Sequence, residues 1–201
     1  MGSSLVAGYA KSKSEVTEMT HVRSTWLLSS ALTLREHGYF DRYAALLEPA
    51  WREQIVEAVT GVWLPVAAFQ AHYRACDLLE IPEREQVGMG GHVTKRAAGI
   101  VMKLGIRMAR EAGVTPWTAL AQAPPLFTRV ARGGAVAVYQ VGPKEARVEL
   151  LGYPVGWSTY ARLAMRGCIA AIVGLVAERA YVSEILQRCT RSSLDYRVQW
   201  V

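Results

Sequence analysis

Cysteine is scarce. Cys76, Cys168 and Cys189 are the only three in 201 residues, and none belongs to a CxxC or CxxH pair. That excludes a disulfide framework and a finger-like zinc site, and reads as reduced thiols in a cytoplasmic protein. Long apolar runs are lacking too. The longest, Cys168–Ala177, is ten residues, against the roughly 20 that a membrane-spanning helix needs. The opening MGSSLVAGYAKSKSEVTEMT has no extended apolar stretch and no cleavage site, so no secretory signal is read. Val6 stands where a myristoylation signal wants Ser or Thr. Residues 1–20 read as a polar, partly mobile leader, and 21–201 as a single domain.

Catalytic signatures are also absent. No GxSxG elbow, HExxH helix, Walker loop or kinase set occurs, and no side chain is marked as an activated nucleophile. The expectation is a protein that is not an enzyme. Gly88-Met89-Gly90-Gly91-His92 is glycine-rich but lacks the GxGxxG and GxxxxGK[ST] spacings. It reads as a helix break or a close helix contact rather than a phosphate cradle. The histidines, His21, His37, His72 and His92, share no i,i+4 spacing, so no metal site is predicted and no cofactor is implied by the residues. His92 stands out because it lies beside Lys95 and Arg96.

What is present is a chain 51% apolar with a net charge of +6, enough to bury a core without staples. The charge is uneven. Residues 1–80 carry 7 basic and 9 acidic side chains, whereas 81–201 carry 16 and 8. On a helix through 92–110, Arg96, Lys103, Arg107 and Arg110 fall in one stripe. That stripe is either a solvated face or a surface for an acidic partner, such as an acidic protein. No helix-turn-helix, RNA-binding or zinc-finger pattern supports a nucleic-acid partner.

Helical spacing recurs over 22–37, 41–47, 49–59, 65–80 and, with a break at GMGG, 83–112. A short helix near 116–122 precedes Pro124-Pro125, which predicts an extended turn. Beyond Gly133-Gly134 the period changes to two. AVAVYQV (135–141) and ARVELLG (146–152) form a hairpin, and VSEILQRC (182–189) with LDYRVQWV (194–201) form a second. Between them Ser158–Ala177 is a helix apolar around most of its circumference, and so buried on several sides. Helices followed by antiparallel strands predict an α+β domain, with helices packed on a four-stranded sheet built as hairpin–helix–hairpin. Six tryptophans make an aromatic core or pocket. The pocket expected beneath the sheet draws on Trp157, Tyr160, Cys168 and His92.

VRSTWLL (22–28), QVGMGGHVTKRAAG (86–99) and the ending DYRVQW (195–200) resemble a domain family of unknown function found chiefly in myxobacteria. The layout is also similar to a group holding the vinyl-reductase-type ligand-binding domains, the TRAPP trafficking subunits and, more distantly, the haem–nitric-oxide sensors. The resemblance implies a homodimer with a cavity for an apolar or lipid-like small molecule, and a sensory or binding role. It does not carry haem chemistry across. Those sensors use an axial histidine and a Tyr-x-Ser-x-Arg clasp, and the nearest string here is Ser158-Thr159-Tyr160-Ala161-Arg162. The cysteine-rich metal site frequent in vinyl-reductase-type domains is missing as well.

Overall fold

The structure is a computed structural model and describes residues 4–8, 13–97 and 115–201. The helical layer comes first. α1 (Ser24–Glu36), α2 (Phe40–Leu46), α3 (Pro49–Val56), α4 (Val66–Asp77) and α5 (Glu83–Ala97) are followed by α6 (Pro116–Ala121) and α7 (Ala123–Val130). The strands β5 (Ala135–Gly142) and β6 (Glu145–Leu151) then lead into α8 (Thr159–Val173), and the chain closes with β7 (Ala180–Glu184) and β8 (Ser193–Trp200). None of the described helices is long and apolar enough to cross a membrane.

The main sheet is antiparallel with five strands, not four, in the order β1-β5-β6-β8-β7. The fifth is β1 (Ser4–Ala7), which lies in the stretch read from sequence as leader and pairs with the edge of β5. A smaller sheet joins β2 (His21–Arg23), β3 (Trp63–Pro65) and β4 (Ala131–Arg132). It pins the helices to the main sheet. Arg23 and Arg132 lie over the Trp63 ring, at 4.1 and 4.4 Å from its centroid, a stacking that keeps both cations out of the core.

Three local expectations are corrected. Pro124 and Pro125 begin α7, because proline in a first turn gives up only an N–H that has no helical partner. α5 runs through GMGG unbroken, so of the two readings of that stretch the helix break is dropped and the close helix contact holds, made by Gly90. The continuation predicted to 112 lies outside the described residues. The second hairpin is wider than predicted: Leu186–Arg188 is a 3-10 turn, so the strand pairing ends at Glu184. On β8, Leu194, Tyr196, Val198 and Trp200 are buried in alternation, and Asp195 is buried too, held by Arg147 at 2.6 Å.

α8 is the central element. Its N-terminus is capped twice: the Ser158 hydroxyl accepts from the Ala161 N–H at 3.0 Å, and Asp77 of α4 accepts from the Tyr160 N–H at 2.8 Å. One face lies on β7 and β8, where Tyr196 donates to the Arg162 carbonyl at 2.9 Å. The opposite face meets α5 with almost no side chain between. A Cβ on Gly90 would overlap the Ala164 carbonyl, and one on Gly167 would overlap that of Val87. Only glycine permits this backbone approach. Gly88, two residues before Gly90, faces open space.

That difference is measurable by chemical denaturation. Gly90→Ala and Gly167→Ala should each lower stability by about 1–3 kcal/mol through overpacking. Gly88→Ala should raise it by roughly 0.5–1 kcal/mol by stiffening a helical position that has room. Equal effects at the three positions would sink the close-approach account.

Candidate functional site

Four helices bring polar side chains into the interior. α1 contributes Trp26 and Ser30, one turn apart. α4 contributes Phe69, His72, Tyr73 and Cys76 along one face, and α5 contributes Met89, Gly90 and Val93. Tyr160, Ala164, Met165 and Cys168 come from α8 at helical spacing. Trp26, Ser30, Tyr73, Gly90, Tyr160 and Cys168 are among the residues around a cavity of about 10 Å³, room for about one water molecule. An edge-on aromatic cluster of Trp26, Phe69, Tyr73 and Tyr153 adjoins it.

Behind the cavity runs a buried hydrogen-bonded chain. Tyr43 Oη lies 2.6 Å from His72 Nδ1, and His72 Nε2 lies 3.0 Å from Ser30 Oγ. The Cys76 Sγ sits 3.6 Å from the same Nε2. Full burial lowers the His72 pKa to about 3, so the ring is neutral, with one nitrogen donating and the other accepting. Burial likewise raises Tyr43, Tyr73 and Tyr160 and holds Cys76 well above the usual thiol range. Cys168 is pushed up to about 11 by burial, and its thiol donates to the Gly90 carbonyl at 3.2 Å. Tyr160 donates to Met89 Sδ at 3.5 Å. Every one of these groups is therefore in its uncharged form at neutral pH, which is what a dry interior demands.

Of the residues proposed from sequence, Tyr160 and Cys168 line the cavity. Trp157 does not. It sits in the loop before α8, half-buried, with its indole N–H donating to the Pro154 carbonyl at 3.1 Å and the Arg74 guanidinium over its ring. His92 is also elsewhere, exposed on the outer side of α5 beside His37. On the basic stripe, Arg96 is already engaged. It donates to the Ser29 carbonyl and Thr33 Oγ1 of α1 and forks onto Glu36 at 2.7 and 2.6 Å. Lys103, Arg107 and Arg110 lie outside the described residues. Ser30, Trp26 and Tyr73 were missed as site residues. The signal in the sequence was the common helical face of Phe69, Tyr73 and Cys76, which tells that they are buried but not what they meet.

The expected cavity for a lipid-like molecule is not found among the described residues, because the α5–α8 contact closes the interior. A larger groove of about 270 Å³ runs along edge strand β7, bordered by Arg166, Tyr181, Ser183 and Gln199. It gathers none of the buried polar side chains.

No family model matches the chain, and no curated protein matches it. Solved structures do. An Fe(II) unliganded H-NOX protein from K. algicida is 8% identical, with a TM-score of 0.62 over 89% of this chain and 96% of that one. A mutant of the T. tengcongensis H-NOX is 12% identical, with a TM-score of 0.59 over 89% and 97%. An oxygen-binding H-NOX domain related to soluble guanylate cyclases, in its oxygen complex, is 12% identical, with a TM-score of 0.56 over 86% and 91%. At such identities the likeness establishes the fold: this chain has an H-NOX-like α+β architecture.

The residues do not fit a haem. All four histidines of the chain are described, and none offers a free nitrogen to the interior. His72 has both nitrogens engaged, His37 and His92 face each other outside, and His21 bonds Thr20. Among the described residues, the water-sized cavity and the interlocked backbones of α5 and α8 leave no slot for a porphyrin.

The depressed His72 pKa sets a pH dependence. The unfolded chain binds a proton near pH 6.5, whereas folded His72 binds one only near 3. Falling pH between those values therefore favours unfolding, and the stability His72 permits is fully present only above about 6.5. Urea titrations of the wild type and His72→Gln at pH 7 and 4.5 should show the gap between them narrowing at the lower pH by up to about 3 kcal/mol. An unchanged gap would contradict a neutral buried His72.

Proposed function

We propose that this protein is a small-molecule-binding or sensory domain that works without haem and does not transform its ligand. The observation that carries the reading is the polar interior. A core built for stability alone would fill this space with aliphatic side chains, since buried polar groups are at best neutral against a well-packed apolar alternative. Here Ser30, Tyr43, His72, Tyr73, Cys76, Tyr160 and Cys168 converge where α1, α4, α5 and α8 meet. The H-NOX likeness supports a sensory role, since one of the similar structures is an oxygen-binding domain. A non-enzymatic role is supported by thiols held in their neutral form and by a histidine with no free nitrogen.

The ligand class follows from the lining. Hydroxyl, thiol and thioether groups around one water's volume select a small molecule with a hydrogen-bonding group and a flat or compact apolar part, not a fatty chain. Such an occupant displaces α5 from α8, because their backbones already touch and have no slack. Ligand binding is thereby read out as a shift in α5, a two-position packing rather than a gradual deformation.

Absorbance and native mass spectrometry of the purified protein, with a thermal-shift panel of phenol, indole and small nitrogen heterocycles, test this. The expected outcome is no Soret band before or after hemin addition. At least one small compound raises the melting temperature of the wild type, and the shift falls at least ~10-fold in apparent affinity in Tyr160→Phe or Ser30→Ala, the loss of about one hydrogen bond. Stoichiometric haem would overturn the haem-free reading. A protein with no bound mass and no response across the panel would overturn the binding reading.

A further inference from the structure

Outside the cavity, on the far side of α5, lies a second cluster that the binding reading does not use. Glu85 and His92 stand two turns apart on one face of α5, and Arg96 follows one turn later. That face meets the end of α1, where His37 caps the helix. His37 Nδ1 lies 2.9 Å from Glu85 Oε1, and Tyr39 donates to Glu85 Oε2 at 3.0 Å. The other nitrogen of His37, Nε2, lies 3.4 Å from His92 Nδ1, with the ring centroids 5.5 Å apart. The Arg96 cation is taken up by Glu36, so the charge directly behind the histidine pair is the Glu85 carboxylate.

The chemistry of this arrangement is specific. A carboxylate only accepts, so His37 places its proton on Nδ1 and presents the lone pair of Nε2 towards His92. A carboxylate behind a histidine is the usual outer-shell partner that orients a metal-bound imidazole and raises its basicity. Two nitrogens 3.4 Å apart subtend about 110° at an ion roughly 2.0–2.1 Å from each, the tetrahedral angle of zinc–imidazole sites. His92 is exposed and His37 partly so, which leaves water access to the remaining positions.

We propose that His37 Nε2 and His92 Nδ1 form the protein half of a divalent transition-metal site, with Glu85 orienting His37 and water completing the sphere. Among the described residues no three His, Cys, Asp or Glu side chains are grouped as metal ligands. The site is accordingly an open two-histidine one, suited to zinc or its neighbours in the first transition row. It fastens α5 to α1, two walls of the cavity, from outside. Its existence does not depend on whether the cavity takes a ligand.

Calorimetric titration of the full chain with zinc sulfate in a non-chelating buffer tests it, alongside the melting temperature with and without zinc. The wild type should bind one equivalent saturably and melt higher. His37→Ala and His92→Ala should each weaken binding at least ~10-fold and abolish the thermal shift, and Glu85→Gln should weaken it by about 10–100-fold. His21→Ala and Cys189→Ser, at other places in the fold, should leave binding unchanged. Absence of saturable binding by the wild type overturns the proposal, and so does unchanged affinity in His92→Ala. Because His92 is exposed, that variant tests the site even where His37→Ala, at a helix end, disturbs folding.

Discussion

The close approach of α5 to α8 is the constraint on which the rest depends. Gly90 against Ala164 and Gly167 against Val87 bring two backbones together with no side chain between them. This sets how deep α5 sits, and therefore which of its faces point where. The inner face supplies Met89 and Gly90 to the interior. The outer face carries Glu85, His92 and Arg96 onto α1. The Cys168 thiol reaches the Gly90 carbonyl across this seam, a contact that a single intervening methyl group would forbid. Packed interiors are nearly incompressible, so a seam of this kind has defined positions rather than a continuous range.

The polar interior is tolerable only because it is satisfied. His72 sits between Tyr43 and Ser30 and stays neutral, since a charged imidazolium there would face a large desolvation penalty. Removing either hydroxyl would leave a ring nitrogen with no partner but the longer Cys76 thiol contact, at about 1–3 kcal/mol. The network thereby fixes the relative positions of α1, α2 and α4 more narrowly than apolar contacts would, because hydrogen bonds are directional and apolar packing is not. The walls of the cavity are held by geometry, while its floor at α8 is held by the glycine seam.

Much of the architecture was legible in the sequence, and the reasons are local. The β5–β6 hairpin shows a β-like apolar run and an alternating one around a Gly-Pro turn, and α8 shows a capping serine before a run of small and apolar residues. Those signals are written within one element. β1 escaped because Ser4–Ala7 is mostly exposed and has no alternation. It is a strand only because the edge of β5 is open to it. Pro124-Pro125 misled because the same residues suit an extended turn or a helix's first turn, and the choice is made by how α7 packs on β5. The site was half legible for a similar reason. Tyr160 and Cys168 share the most apolar helix, so their burial was clear. Ser30 and Tyr73 sit on helices whose faces were legible but whose neighbours were not. His92 was singled out only by its place beside Lys95 and Arg96, which does not say where it points; on the helix Glu85 and His92 share the face that meets α1.

An H-NOX-like fold at 8–12% identity separates two things that sequence similarity usually carries together. The layers, the antiparallel sheet and the helix across it follow from the placement of apolar residues, and many sequences satisfy that placement. The interior is a different matter, since it depends on particular volumes at particular positions. Two glycines suffice to let α5 sink onto α8, and with that the space between them shrinks to a water's volume. Among the described residues such an interior has no slot for a large rigid ring, whatever the resemblance of the shell. The small space that remains is lined by hydroxyl, thiol and thioether groups. Among the described residues, this polar, close-packed interior leaves a space of only about one water's volume.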